Sequence, residues 1–139
     1  MKDLQRLIRL HKATLDEKRA QLSMLERKRA EILAMIETLD RSHAAERQLA
    51  EQSLDAALAY PRYAEGVRHR RKAMALGLAA TEREIAVARD AVLAAFAELK
   101  RFEVTLERKR EQMRREAIRR DQTKQNELGL VMYRRRDAG

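Results

Sequence analysis

The stretch Tyr60-Pro61-Arg62-Tyr63-Ala64-Glu65-Gly66 contains the only proline of the chain and two of its three tyrosines. Both flanking sequences are typical of uninterrupted helix. Proline is tolerated in the first turn of a helix, where a backbone N–H has no partner to lose, and it moves the preceding residue out of the α region. We therefore expect a first helix over about residues 2–58, a bend over about 59–61 and a second helix over about 61–136.

The composition is typical of long helices. Of the 139 residues, 38% are charged and 4% are aromatic, and there is no tryptophan. The absence of cysteine removes disulfides and thiolate chemistry and favours a reducing compartment. The longest apolar runs, 73–80 and 91–97, are much shorter than the roughly 18 to 20 residues that span a bilayer. The N-terminus has no apolar signal region, so we expect a soluble cytoplasmic protein.

Both halves of the chain show the alternating spacing of four and three residues that marks a coiled-coil seam. The first seam consists of Leu4, Ile8, His11, Leu15, Lys18, Leu22, Leu25, Arg29, Ile32, Ile36, Leu39 and His43. The second consists of Val67, Arg71, Met74, Leu78, Thr81, Ile85, Ala88, Val92, Ala95, Leu99, Phe102, Leu106, Lys109 and Met113.

If the chain folds back near Tyr60, facing residues of the two seams have numbers that add to 120 or 121. This rule pairs Ile36 with Ile85 and Ile8 with Met113. The two seams are found independently, so their agreement predicts an all-α fold. We expect residues 1–139 to form a single domain, an antiparallel coiled-coil hairpin whose second helix overhangs at the C-terminal end.

The same rule predicts which polar residues of the seams meet. Lys18 faces Phe102 for a cation–π contact, and the aliphatic part of Arg29 lies across Val92.

On this register the N-terminal end of the first helix lies opposite about Glu116. Residues 117–136 of the second helix therefore project with nothing to cover them. An isolated helix of about 20 residues is marginally stable in water. The sequence therefore predicts that this segment has a partner or is disordered until it binds one.

No pattern in the sequence indicates an enzyme, a metal site or a cofactor. The histidines are too far apart to form an i,i+4 ligand pair, and no cysteine completes a zinc site. On the predicted register His11 faces Lys109 and His43 faces Leu78. A hairpin of two helices also offers no pocket that removes a catalytic group from water.

The net charge of +9 keeps a basic nucleic-acid-binding coiled coil as an alternative. Residues 62–72 carry five basic residues and one acidic residue, and residues 100–139 carry thirteen and seven. The acidic residues interleaved with these arginines repel phosphates, so we expect no nucleic-acid partner. A charged spacer helix without a specific partner is a further alternative.

Aromatic residues at the predicted bend are candidates for recognition. Tyr60, Tyr63 and Val67 follow i, i+3, i+7 spacing and are expected to form one exposed apolar stripe. Alternatively, they only close the tip of the hairpin.

Three stretches carry a resemblance to a known family: 60–67, Ala88 to Glu103, and Arg119 to Leu130. Together with the N-terminal leucine seam and the basic composition, they resemble the FliJ family, the stalk proteins of the bacterial flagellar type III export apparatus. The resemblance covers almost the whole chain. The stalk of a virulence injectisome has the same architecture and is a second alternative.

The resemblance implies a fold similar to the two-helix coiled coil of the rotary ATPase γ subunit. It also implies that the end with both termini inserts into the hexameric export ATPase ring. The opposite part contacts the cytoplasmic region of the export-gate membrane protein, and the family also binds export chaperones. These partners imply a cytoplasmic location, peripheral to the inner membrane at the flagellar base.

Site residues also follow from the resemblance. Export-gate contacts fall on Tyr63 and Val67, with Tyr60 beside them. The family's Asp-Glu-Leu/Phe signature falls on Asn126, Glu127 and Leu128, with asparagine in place of the usual aspartate.

Combining the resemblance with the uncovered basic segment gives the predicted contacts with the ATPase ring. They are Arg114, Arg115, Arg119, Arg120, Glu127 and Leu128. The planar fork of each guanidinium suits acidic or carbonyl groups of the ring.

Overall fold

The computed structural model describes residues 1–138, and it is all-α over that range. Helix α1 spans Lys2–Gln52 and helix α2 spans Leu54–Ala138. The two helices pack against each other as an antiparallel hairpin, and α2 extends beyond α1 at its C-terminal end. Gly139, which the predicted domain 1–139 includes, lies outside the described residues.

The chain passes from α1 to α2 at Ser53, so the predicted bend over about residues 59–61 is wrong. The hydroxyl oxygen of Ser53 accepts a hydrogen bond from the backbone N–H of Ala56 at 3.4 Å. Asp55 lies in the first turn of α2, where a carboxylate is favourable. Ser53 therefore caps the second helix, a role for which serine is among the preferred residues.

Pro61 lies inside α2 and does not begin a helix. In an α-helix its missing N–H leaves the carbonyl of Ala57 without its usual donor. Both residues are exposed, so water can satisfy that carbonyl. The helix therefore tolerates a residue that usually marks its end.

Substitutions of Ser53 and Pro61 test which of the two residues marks the start of α2. Ser53→Ala is expected to lower the free energy of unfolding by about 1 kcal/mol, because the cap is lost. Pro61→Ala is expected to raise it by roughly 1 to 3 kcal/mol, because alanine restores a helical hydrogen bond. Urea denaturation followed by circular dichroism measures both changes. If Pro61→Ala destabilised the protein and Ser53→Ala had no effect, the second helix would instead start at Pro61.

The predicted seams are confirmed as the buried faces of the two helices. All twelve seam residues of α1 are buried or half-buried. In α2 eleven of the fourteen are buried or half-buried, and the exceptions Arg71, Lys109 and Met113 are exposed.

Contacts group the described chain into two compact units, and the first consists of residues 13–96. Two ion pairs join α1 to α2 in this unit. Arg29 Nε lies 3.5 Å from Glu82 Oε1, and Arg71 Nε donates to Asp40 Oδ1 at 2.9 Å. Arg29 Nε is buried without a hydrogen bond, so the adjacent carboxylate of Glu82 compensates its charge.

Within the described residues, the second unit consists of residues 1–12 and 97–138. Its buried residues are Ile8, Leu99 and Leu106. The rings of His11 and Phe102 stack with centroids 4.6 Å apart. His11 therefore contacts Phe102, and the predicted contact of His11 with Lys109 is wrong.

The predicted register is wrong by one heptad. The numbers of the stacked residues His11 and Phe102 add to 113, seven less than the predicted 120. The residue numbers of the ion pairs Arg29–Glu82 and Asp40–Arg71 each add to 111. Arg29 therefore lies beside Glu82, and its predicted contact with Val92 is wrong. A shift of seven residues restores equivalent heptad positions, so both registers place seam against seam.

Cysteine pairs distinguish the two registers, because the chain has no cysteine of its own. Ile32→Cys with Thr81→Cys, whose numbers add to 113, is expected to form a disulfide within one molecule. The matched pair Ile32→Cys with Ala88→Cys follows the sum of 120 and is expected to remain reduced. Position 88 lies seven helical residues, or about 10 Å, from position 81, which is too far for the same disulfide to form. Mobility on non-reducing gels at low protein concentration reports the outcome, and the reverse result would restore the register with the sum of 120.

Candidate protein interface

The last part of α2, residues 112–138, is exposed at every position. We call this segment the C-terminal extension. Leu106 is the last buried residue of α2, and α1 has no residues left to cover the remainder of that helix. Exposure begins five residues before the predicted start at 117, because the observed register exhausts α1 earlier.

The C-terminal extension is basic, with apolar residues near its end. It carries eight basic and four acidic residues. Five large side chains are between 43% and 64% exposed: Leu128, Leu130, Val131, Met132 and Tyr133. Clustered exposed apolar side chains beside charge are typical of surfaces that bind other proteins.

Two of the four predicted ring-contact arginines form ion pairs within α2. Arg114 Nη2 donates to Glu111 Oε2 at 2.6 Å and to Glu107 Oε1 at 3.4 Å. Arg115 Nε donates to Glu111 Oε1 at 3.4 Å. A partner must therefore compete with these glutamates for both guanidinium groups.

The other two arginines have free guanidinium groups. Within residues 1–138, Arg119 and Arg120 form no ion pair, and both are exposed. The Thr123 hydroxyl donates to the backbone carbonyl of Arg119 at 2.9 Å, which does not engage the arginine side chain. Arg119 and Arg120 are thus the two of the four that can bind an acidic group without losing an internal partner.

The signature positions near the end of the C-terminal extension are also accessible. Leu128 is 58% exposed, and Glu127 is exposed with no ion pair in the described part of the chain. Both are available to a partner, and their contact with a ring stays a prediction.

Near the start of α2, aromatic residues pack against a histidine of α1. His43 Nε2 lies 2.8 Å from the Tyr60 hydroxyl, and the two rings stack with centroids 5.8 Å apart. The ring of Tyr63 is tilted against His43 at 6.3 Å. The predicted contact of His43 with Leu78 is therefore wrong. The polar residue in the α1 seam was the only sequence signal for this cluster.

The prediction of one exposed stripe is wrong at Val67. This residue is 1% exposed and belongs to the core, whereas Tyr60 and Tyr63 are half-buried. Val67 can contact an export gate only if the helices separate locally. The assignment of Tyr60 and Tyr63 to such a contact stays a prediction.

A shallow groove of about 490 Å³ lies beside Tyr63. Its apolar walls include Met35 and Leu39 of α1 and Met74 of α2, and Arg70 lies at its rim. The sequence did not indicate this groove, because it depends on which residues of α1 lie opposite Tyr63.

A bidentate ion pair lies near the histidine. Arg71 donates through Nε and Nη2 to the two carboxylate oxygens of Asp40, at 2.9 and 3.3 Å. These hydrogen bonds lower the pKa of Asp40 below its ordinary value of 3.8, against an opposing effect of desolvation, and the charges of Arg71 and His43 lower it further. The carboxylate also raises the pKa of Arg71.

The depressed pKa of Asp40 makes its contribution to stability depend on pH. A carboxyl with a lowered folded-state pKa stabilises the fold above its unfolded pKa, and this is lost as the pH falls through the folded pKa. Asp40→Asn is therefore expected to lower the melting temperature slightly at about pH 7 and to have no effect at about pH 2. Thermal denaturation at both values measures the difference. The exposed Glu46→Gln is the control, and an equal effect of Asp40→Asn at both values would contradict the assignment.

Within residues 1–138, no group of three or more histidine, aspartate or glutamate side chains is placed to hold a metal ion. In the same range no helix combines the length and the apolar character needed to cross a membrane. Comparison with protein family models, curated proteins and solved structures finds no match to this chain.

Proposed function

We propose that this chain is a coupling component of bacterial flagellar type III protein export, with its C-terminal extension bound by the hexameric export ATPase ring. The observation that supports the proposal most is the exposure of every residue from 112 to 138 in a continuous helix. The system and the partners come from the resemblance to the FliJ family.

The stability of the C-terminal extension favours a partner that surrounds it. A helical segment with no packed face gains little from burial, and helices of this length are marginal when isolated in water. A surrounding protein surface supplies the missing burial. A ring can cover the segment on all sides, and here charged and apolar side chains occur around the whole helix.

The four arginines differ in whether they already form an ion pair within the chain. Arg119 and Arg120 can form new charge-assisted hydrogen bonds with acidic groups of a ring without breaking any present in the chain. Arg114 and Arg115 must first exchange Glu111 for the new partner, which reduces their net contribution. The proposal therefore ranks Arg119 and Arg120 above the other pair.

The apolar end of the C-terminal extension adds a second kind of contact. Leu128 and its exposed apolar neighbours need a nonpolar surface to leave water. Glu127 lies beside them and can accept hydrogen bonds from the same partner. These residues add nonpolar burial to the charge-directed contacts of the arginines.

The link to the export gate is assigned to Tyr60 and Tyr63. Both tyrosines are half-buried against His43, so each still presents surface to a partner. Export chaperones complete the proposed set of partners, and the proposed location is the cytoplasmic face of the inner membrane at the flagellar base.

Charge reversal tests the ring contact. Arg119→Glu with Arg120→Glu is expected to weaken binding to the purified flagellar export ATPase at least about tenfold, because two attractive contacts become repulsive. Arg114→Glu with Arg115→Glu is expected to weaken it less. Surface plasmon resonance measures affinity, and a coupled assay measures whether the bound chain raises the rate of ATP hydrolysis.

The matched control is Arg68→Glu with Lys72→Glu, which makes the same change of charge on exposed residues away from the C-terminal extension. Circular dichroism confirms that each variant keeps its helices. Unchanged binding after reversal of all four arginines would contradict the proposal. Equal binding to an injectisome ATPase would remove the flagellar assignment, and retardation of duplex DNA at about 150 mM salt would favour the nucleic-acid alternative.

A further inference from the structure

The surface of α2 opposite its buried seam is apolar in the middle of the helix. The seam residues Thr81 and Ile85 are 1% and 3% exposed, whereas Val87 and Leu93 are 70% and 66% exposed. A helix that is apolar outside the stripe facing its partner usually has a second surface to cover. We call this surface the outer face, and it consists of Ala80, Arg83, Ala86, Val87, Asp90 and Leu93.

We propose that two copies of this chain associate through the outer face, with their α2 helices antiparallel. A two-fold axis between residues 86 and 87 brings each residue opposite one whose number completes a sum of 173. Such an interface uses the same surface on both copies, so it must be complementary to itself.

The charges of the outer face satisfy that requirement. Arg83 of each copy lies opposite Asp90 of the other, so one dimer contains two equivalent ion pairs. Both residues are exposed, and neither forms an ion pair within residues 1–138. In a parallel arrangement in register, Arg83 would meet Arg83 and Asp90 would meet Asp90, which is unfavourable. The charges therefore select the antiparallel orientation.

The sizes of the apolar residues follow the same rule. Leu93 lies opposite Ala80, and Val87 lies opposite Ala86, each pair occurring twice. Every large side chain meets a small one, which allows close approach of the helices without clashes. A face built only for helix propensity has no reason to place its large residues opposite alanine.

A groove between the helices continues the outer face. Ala80 and Val87 of α2 line it together with Leu25 of α1, and its volume is about 590 Å³. Its walls are largely apolar, so a helix of a second copy lying on α2 also covers the groove.

Sedimentation equilibrium of the full chain tests the proposal. Over about a hundredfold range of concentration, the wild-type chain is expected to shift from monomer to dimer. Arg83→Asp alone places aspartate opposite Asp90 twice and is expected to raise the dissociation constant at least about tenfold. Asp90→Arg alone is expected to do the same by placing two arginines opposite each other. A wild-type chain that stays monomeric at the highest concentration overturns the proposal.

Mixing the two variants provides the sharpest result. In a mixture of Arg83→Asp and Asp90→Arg chains, each heterodimer regains two complementary contacts, so association is expected to return to within about threefold of the wild type. The double exchange in one chain is expected to restore it as well. Arg27→Asp, on the exposed surface of α1, is the charge-matched control. A mixture that associates no better than its components overturns the pairing, even if each variant is fully helical.

Orientation is tested separately with single cysteines. Ala80→Cys mixed with Leu93→Cys is expected to give a crosslinked heterodimer, whereas neither variant crosslinks alone. Crosslinking of Ala80→Cys to itself would indicate a parallel dimer and would overturn the proposed geometry.

Discussion

The fold depends on apolar burial along a single seam between two helices. A hairpin has only two packed surfaces, so each helix can remove one stripe of side chains from water, and every other face remains exposed. The most deeply buried side chains accordingly follow the seams, as Leu15 and Ile85 do. With so little core, the register between the helices determines which functional side chains are covered and which are free. Val67 is a seam residue and is covered, whereas Leu128 lies beyond the end of α1 and is free.

The repeating spacing in the sequence predicted the buried faces but could not select the register. A heptad pattern looks the same after a shift of seven residues, so the choice depended on the turn. Proline is the strongest local signal for a helix boundary, and the predicted turn therefore fell at Pro61. In the structure Ser53 caps α2, and the proline is accommodated on an exposed surface. A capping serine in a highly charged helix gives a weak signal, since serine also occurs on solvent-facing positions.

The candidate interface was predictable in outline for a related physical reason. The uncovered C-terminal extension follows from the unequal lengths of the two seams, which the sequence contains. Which arginines are free does not follow from spacing. Glu111–Arg115 and Glu116–Arg120 have the same separation of four residues, yet of these two described pairs only the first forms an ion pair. The cluster of His43 and Tyr60 was missed because it requires α2 to begin before Tyr60, and not because either residue is unusual.

The two proposed surfaces of α2 differ in the physical terms that stabilise them. The C-terminal extension carries an excess of positive charge, so its association weakens as salt rises. The outer face carries equal numbers of opposite charges around an apolar centre, and in the dimer each charge is adjacent to its partner. Salt then weakens only the contribution of the ion pairs to the stability of the dimer. The contribution from burying Val87 and Leu93 persists. Salt concentration therefore acts differently on the two associations. A chain that binds an acidic partner at low salt and still associates with itself at high salt uses separate parts of one helix for the two.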